Sequence, residues 1–367
     1  MPDKLRDSDA APPGAPRAFD RGGGLRQPAS EPEWDVAALA GRLRDLVGGD
    51  RVVAEPEVSI HGRTAHLGVR PADERHLAAA LALADAERLG VCVVGGGTKL
   101  GWGDPPDRFD LLVHTGDLRS TCVIDADDLT ARVAAGVTVA EAQARARAAG
   151  RVLPLDAGLP GSATVGGVVA TGDQGARGAG YGAVRDLVLG LRATLADGTS
   201  VKFGGLTMKN VAGYDMSKLF VGSFGVLGVI TEVNLRLLPR AEAQALLVLP
   251  LESLAQGGEI AARILDSYLQ PLVLEALSPQ VVSAIAQAVT TAGSALGLGS
   301  GGGPILLAGF AGHQAAVDRS VAEVRSISEV QAGLGAGDVA VLRDDQAEAV
   351  LEALTACTAA TGSGPGP

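Results

Sequence analysis

The apolar positions of the chain change period several times, and each change predicts an element. Residues 71–90, PADERHLAAALALADAERLG, carry apolar side chains at helical spacing, with Pro71 near the first turn and Gly90 as the stop. The runs VCVVG (91–95) and LLVHT (111–115) are short and continuously apolar, which predicts buried strands. LTARVAAG (129–136) predicts a further strand, and TVAEAQARARAAG a helix with Thr138 as N-cap and Glu141 completing a capping box. Strands interleaved with helices predict a partly parallel, helix-covered sheet over residues 34–150. From 151 to 240 the pattern differs. A long Gly/Ala/Thr/Val loop at 157–182 precedes a hairpin, DLVLGLRATLADGTSVKF, that turns at Ala-Asp-Gly. GVITEVNLRLLP alternates and predicts a half-buried strand. From 241 to about 355 strand–helix units return. QALLVLP, PLVLEAL, PILLAGF and DVAVLRD are the strands, and ESLAQGGEIAARILDSYL, PQVVSAIAQAV and HQAAVDRSVAEVRSI the helices. Residues 1–33 lack periodicity and read as a disordered leader, and 356–367 as a flexible tail.

Composition narrows the class. At 367 residues, with 47% hydrophobic and 20% charged content, the chain has material for several cores and the balance of a soluble globular protein. A net charge of -11 argues against a nucleic acid or an anionic membrane surface as partner. No run approaches the roughly 18 apolar residues of a membrane span, and the N-terminus has no apolar signal region. The expectation is a cytoplasmic chain, not an integral membrane protein. Cys92, Cys122 and Cys357 lie far apart, too few and too scattered for a disulfide framework or the four thiolates of an iron–sulfur cluster. His61, His66, His76, His114 and His313 show no metal-ligand spacing, so no metal is expected.

Glycine changes the picture most. VCVVGGGTKLGWG runs a strand straight into bare backbone, the arrangement that delivers amide N–H groups to an anion. It is no Walker loop, because the chain contains no Gly-Lys pair, and no dinucleotide fingerprint, because Leu100 takes the place of the last glycine. A structural turn remains an alternative for this block alone. A second block, LPGSATVGGVVATGDQGARGAGYG (159–182), carries almost no large side chain, so backbone lies against an extended partner. Two such blocks suit a long ligand such as a dinucleotide. GLGSGG at 297–302 matches a G-x-G-x-x-G pattern but precedes a strand, and reads as a flexible connection. A third block, KNVAGYDMSKLFVGSFGVLGVITEV (209–233), places Gly213, Gly222, Gly225 and Gly228 at short intervals before a strand. That spacing lets a loop pass close to a planar ring system.

In order and separation the three blocks resemble the FAD-binding domain of the vanillyl-alcohol oxidase / p-cresol methylhydroxylase (PCMH) superfamily, over about 55–241. Within it the chain is most similar to the smaller FAD-binding subunit of bacterial glycolate oxidase. The resemblance implies an α+β fold: a two-subdomain PCMH-type FAD-binding domain (34–240, subdomains about 34–150 and 151–240) and a C-terminal cap domain (241–355). It implies that Gly95, Gly96, Gly97, Thr98 and Lys99 offer amides to the pyrophosphate. Pro160, Gly161, Thr164, Val165, Gly166 and Gly167 would line its second side and the ribityl chain. Thr171, Gly175 and Gly182 would run beside the flavin, and Val229 and Ile230 would meet the adenine or its neighbourhood. Covalent members often carry His where Thr98 stands, so a non-covalent FAD is expected.

The resemblance further implies a flavin-dependent oxidation of a small 2-hydroxy acid such as glycolate. The partners would be a larger flavoprotein subunit and an iron–sulfur subunit, with membrane association only through them. No catalytic base is assigned. Residues 241–367 hold a single histidine, His313, expected to start a helix, and lack the His-rich motif of single-chain relatives. An accessory or scaffold subunit that binds FAD without catalysis is therefore a second expectation.

Overall fold

Three larger sheets, each with its own apolar core, organise the protein in this computed structural model, which describes residues 34–207, 214–289, 302–335 and 337–362. The leader, Lys209–Gly213 of the third glycine block and most of GLGSGG lie outside the described residues. The described residues belong to one compact unit.

The first sheet has the spatial order Val52–Ala54, Leu67–Val69, Leu111–His114, Val91–Val94, and its last three strands are parallel. Helices Val36–Val47 and Glu74–Ala86 cover it through Leu39, Leu43, Leu77 and Leu81. Asp35 and Asp73 cap these helices with their carboxylates. The predicted strand at 129–136 does not join this sheet. Thr130–Ala134 pairs instead with Val229–Arg236, so the chain crosses to the second subdomain before residue 122.

That second sheet is antiparallel throughout, in the order Ser200–Gly204, Val188–Thr194, Val229–Arg236, Thr130–Ala134, Cys122–Asp125. Val229–Arg236 is central and mostly buried, where its alternation predicts a half-buried strand. Thr138 caps helix Val139–Ala148 as expected, but the Glu141 carboxylate pairs with Arg119 and Arg145. The stretch 157–182 is not all loop. Val165–Thr171 is helical, with Thr164 as its N-cap, because its small apolar residues pack into the second core.

The C-terminal sheet, Val273–Leu277, Ile305–Gly312, Ala243–Pro250, Ala340–Arg343, is antiparallel and covered on both faces. Leu254–Leu265 and Gln314–Ala332 pack on one face, Pro279–Ala288 and Asp344–Gly362 on the other. Two-sided burial explains the unbroken apolar run of its central strand. The last helix continues to Gly362, so part of the expected tail is helical. His313 starts a helix, as predicted. Among the described residues no helix is long and apolar enough to cross a membrane.

Candidate functional site

The turn after strand Val91–Val94 meets the Pro160–Thr164 loop of the second subdomain across a shared wall. An alanine methyl built at Gly95 would overlap Thr164 Oγ1, and one at Gly96 would overlap the Ser162 carbonyl oxygen. Glycine is required here because two loops of the protein touch. Gly136 closes a third side, since a methyl there would run into the carbonyls of Thr115, Gly116 and Leu118. Between these walls lies a cleft of about 470 Å³, within the range of small-molecule sites. Gly95–Gly97, Gly136, Thr138, Gly161, Ser162 and Thr164 form its backbone-rich part. Arg70, His114, Asp117 and Arg119 form a polar end.

Following the amides separates binding surface from support. Val165 N donates to Val137 O and Gly166 N to Ala135 O, both at 2.9 Å, while Gly167 N donates to Thr164 Oγ1 at 3.3 Å. Val165 and Gly166 are buried, and a methyl at Gly166 would press on Ala135. These three residues stand behind the wall and do not line the cleft. Pro160 supports from outside, its carbonyl accepting from Ala140 N at 2.9 Å. Thr171 Oγ1 donates within its helix to Gly167 O, and Gly175 N donates to Asp156 O at 2.6 Å. Gly182, at φ +83°, offers its carbonyl to Gln174. Val229 and Ile230 are buried in the second sheet, paired with Thr194 and Ala193, and also lie outside the cleft lining.

The amides of Gly96, Gly97 and Thr98 differ: none makes a hydrogen bond to a described residue. Lys99 points its side chain away to Asp173, with Nζ 2.9 Å from Oδ2 and stacked over Trp102. It is a tie between the first two glycine blocks. The third block is tied in as well, through Gly222 N to Val169 O at 3.1 Å and Phe224 N to Ala170 O at 2.8 Å. This turn leaves Phe224, Val226 and Leu227 exposed.

The sequence reading missed the polar end and Gly136. For Gly136 a signal existed, because AAGVT repeats the strand-into-glycine form of the first block. His114 accepts from Gly116 N at its Nδ1, 3.2 Å away, which leaves Nε2 as the protonated nitrogen. Burial holds its pKa below the ordinary histidine value, the Arg70 charge adding to the effect and Asp117 opposing it. The folded protein thus binds that proton less readily than the unfolded chain, so stability rises with pH. The contribution is complete above about pH 6.5 and is lost as pH falls through the lower folded value. Urea unfolding at about pH 7.5 and about pH 5.5 should show a smaller loss in His114→Gln than in the wild type. Equal losses would exclude His114 as the cause.

A buried ionic group was also missed. Arg177 donates from its backbone N and from Nη1 to the two oxygens of Asp156, each at 2.9 Å, and from Nη2 to Glu348 Oε2 at 2.7 Å. Burial works against the Arg177 charge, but Asp156, Glu348 and Tyr181 outweigh it and lift its pKa. Partners this far apart in sequence leave no local pattern.

Residues 65–204 match the family described as FAD binding domain, and residues 240–366 that described as FAD linked oxidases, C-terminal domain. The chain thus carries a FAD-binding domain followed by a FAD-linked oxidase C-terminal domain. D-lactate dehydrogenase of Archaeoglobus fulgidus is 34% identical over 58% of this chain and 48% of its own length. Glycolate oxidase subunit GlcE of Escherichia coli is 43% identical over 41% of either chain. The chain spans about half the length of the curated relatives it matches. Among solved structures, p-cresol methylhydroxylase superposes with a TM-score of 0.68, covering 87% of this chain and 71% of that one. At 15% identity that likeness is one of fold, the PCMH type.

The residues of the cleft fit FAD. Unbonded amides at Gly96, Gly97 and Thr98 suit a pyrophosphate. The flat glycine walls leave room for an extended ligand, and the polar end supplies donors at His114 and Arg119. FAD is the cofactor of the family.

Proposed function

We propose that the chain is the FAD-binding subunit of an oxidoreductase acting on a small 2-hydroxy acid, with electrons passed to partner subunits. The observation that carries this reading is the cleft lined by the unbonded amides of Gly96 and Gly97, in a chain whose relatives include a D-lactate dehydrogenase and a glycolate oxidase subunit. FAD held there supplies the two-electron acceptor that turning a 2-hydroxy acid into a 2-oxo acid requires. The amides of Gly96, Gly97 and Thr98 hold the pyrophosphate, and the Gly136 and Gly161–Thr164 walls exclude water from it. Arg119 and the Nε2–H of His114 orient the ligand from the polar end. Cys92, Cys122 and Cys357 are free and dispersed, so an iron–sulfur centre belongs to a partner. A larger flavoprotein subunit completes the assembly.

The proposal predicts that the purified chain, loaded with FAD under anaerobic conditions, loses its absorbance near about 450 nm on adding glycolate or D-lactate. A second reading, an accessory subunit, is favoured by the C-terminal domain. His313 is largely exposed there and bonded to Glu242, 3.1 Å away, at a helix start that does not line the cleft. A flavin that stays oxidised in the isolated chain, yet is reduced once partner subunits are added, would decide for it. Thr98 in place of a histidine also predicts a non-covalent flavin. Acid precipitation should leave the yellow colour in the supernatant, and colour in the pellet would refute this.

A further inference from the structure

The segment from Gly172 to Gly182 is held from two sides by buried charge. On the cleft side, Lys99 follows directly on the turn with the unbonded amides, and its Nζ lies 2.9 Å from Asp173 Oδ2. Both side chains are largely buried, and neither atom has a hydrogen-bond partner beyond this ion pair. On the far side, Arg177 joins Asp156 and Glu348 at 2.9 and 2.7 Å. Thr355 Oγ1 donates to the same Asp156 oxygen at 3.3 Å. Glu348 and Thr355 are seven residues apart on the last helix and so share one of its faces. Gly180 N adds a bond to Leu272 O at 3.2 Å, and Ala176 packs into the C-terminal core.

Only Gln174, Gly175 and Ala176 separate the two ionic groups, and they are locked. Gln174 accepts from Asp156 N and donates to the carbonyls of Pro154 and Gly182, at 3.0 to 3.1 Å. A short segment tied by the Gln174 side chain and the Gly175 amide, with a buried ion pair at each end, moves as one body. Displacing either end means breaking an ion pair in a low-dielectric setting.

We propose that Glu348–Arg177–Asp173–Lys99 is a mechanical line that couples the docking of the C-terminal domain to the FAD cleft, with Arg177 as its central positioning residue. When the last helix is seated, Arg177 fixes the segment, Asp173 fixes Lys99, and the turn presents its free amides in the binding geometry. By reciprocity FAD in the cleft favours the seated helix. The inference rests on FAD occupying the cleft and not on any substrate, so it stands apart from the choice of 2-hydroxy acid.

The test is a titration of full-length apoprotein with FAD, followed by flavin fluorescence. Glu348→Gln, outside the cleft lining and partly exposed, should weaken FAD binding about tenfold, a usual coupling strength between sites. Its apo thermal midpoint serves as the control for folding. Asp173→Asn should weaken binding similarly, and the double variant should be no worse than Asp173→Asn alone, because the line is already cut. Thr355→Val, which removes only a hydroxyl from the same group, replaces Glu348→Gln should that variant fail to fold. Affinity within about twofold of the wild type in the folded Glu348 or Thr355 variant would overturn the proposal. So would losses that add independently in the double variant. A wild-type chain that takes up no FAD would instead refute the cofactor assignment.

Discussion

Replacing Gly96 with alanine is expected to weaken FAD binding about a hundredfold and to destabilise the fold by about 1–3 kcal/mol. The new methyl would occupy the space of the Ser162 carbonyl oxygen, so the two loops must separate. Gly96 is not among the residues at positive φ, so the effect comes from this contact and not from backbone strain. Separation acts on affinity because one loop carries the unbonded amides and the other forms the facing wall of the cleft. An ångström of opening takes both from the ligand together. Gly161 provides the contrast. It lines the same cleft, but a methyl there meets nothing within 4 Å, so Gly161→Ala should keep stability within about 0.5 kcal/mol. FAD titration and chemical denaturation of both variants check the pair. Equal losses would show that glycine content, and not the crossing of the loops, matters.

That contrast also shows what the sequence could carry. The glycine blocks marked the place, because a strand ending in three glycines has few uses. They could not say which glycines face a ligand. Gly95, Gly96 and Gly166 are fixed by contacts with Thr164, Ser162 and Ala135, which depend on a fold that brings distant segments together. The C-terminal strands and helices were legible because each apolar run stays in register with its own element. The strand at 129–136 was legible as a strand but not as a member of the second sheet. Period tells a strand's faces and says nothing of its neighbours. Glu141 carries the same lesson at smaller scale, since two nearby arginines outcompete the backbone amide that a capping box would give it. Val229 and Ile230, assigned to the adenine or its neighbourhood by resemblance alone, begin the central strand of the second sheet.

Removing the Arg177 side chain should destabilise the fold strongly. Arg177→Met leaves Asp156, which is 4% exposed, without its cation in a dry environment. The remaining donors to that carboxylate are the residue 177 amide and the Thr355 hydroxyl, both neutral. Breaking a buried pair from one side costs about 3–5 kcal/mol, because the stranded charge keeps its desolvation penalty. The second partner, Glu348, is 41% exposed at its side chain and regains water, so it adds little to that cost. The decisive comparison is Asp156→Asn combined with Arg177→Met. The double variant removes both charges, keeps an amide oxygen that accepts from the residue 177 N–H while its NH2 donates to Thr355 Oγ1, and should recover most of the loss. Urea denaturation of the two variants separates the possibilities. If the double variant is as unstable as Arg177→Met, packing of the arginine stem and not the stranded carboxylate sets the stability of this junction.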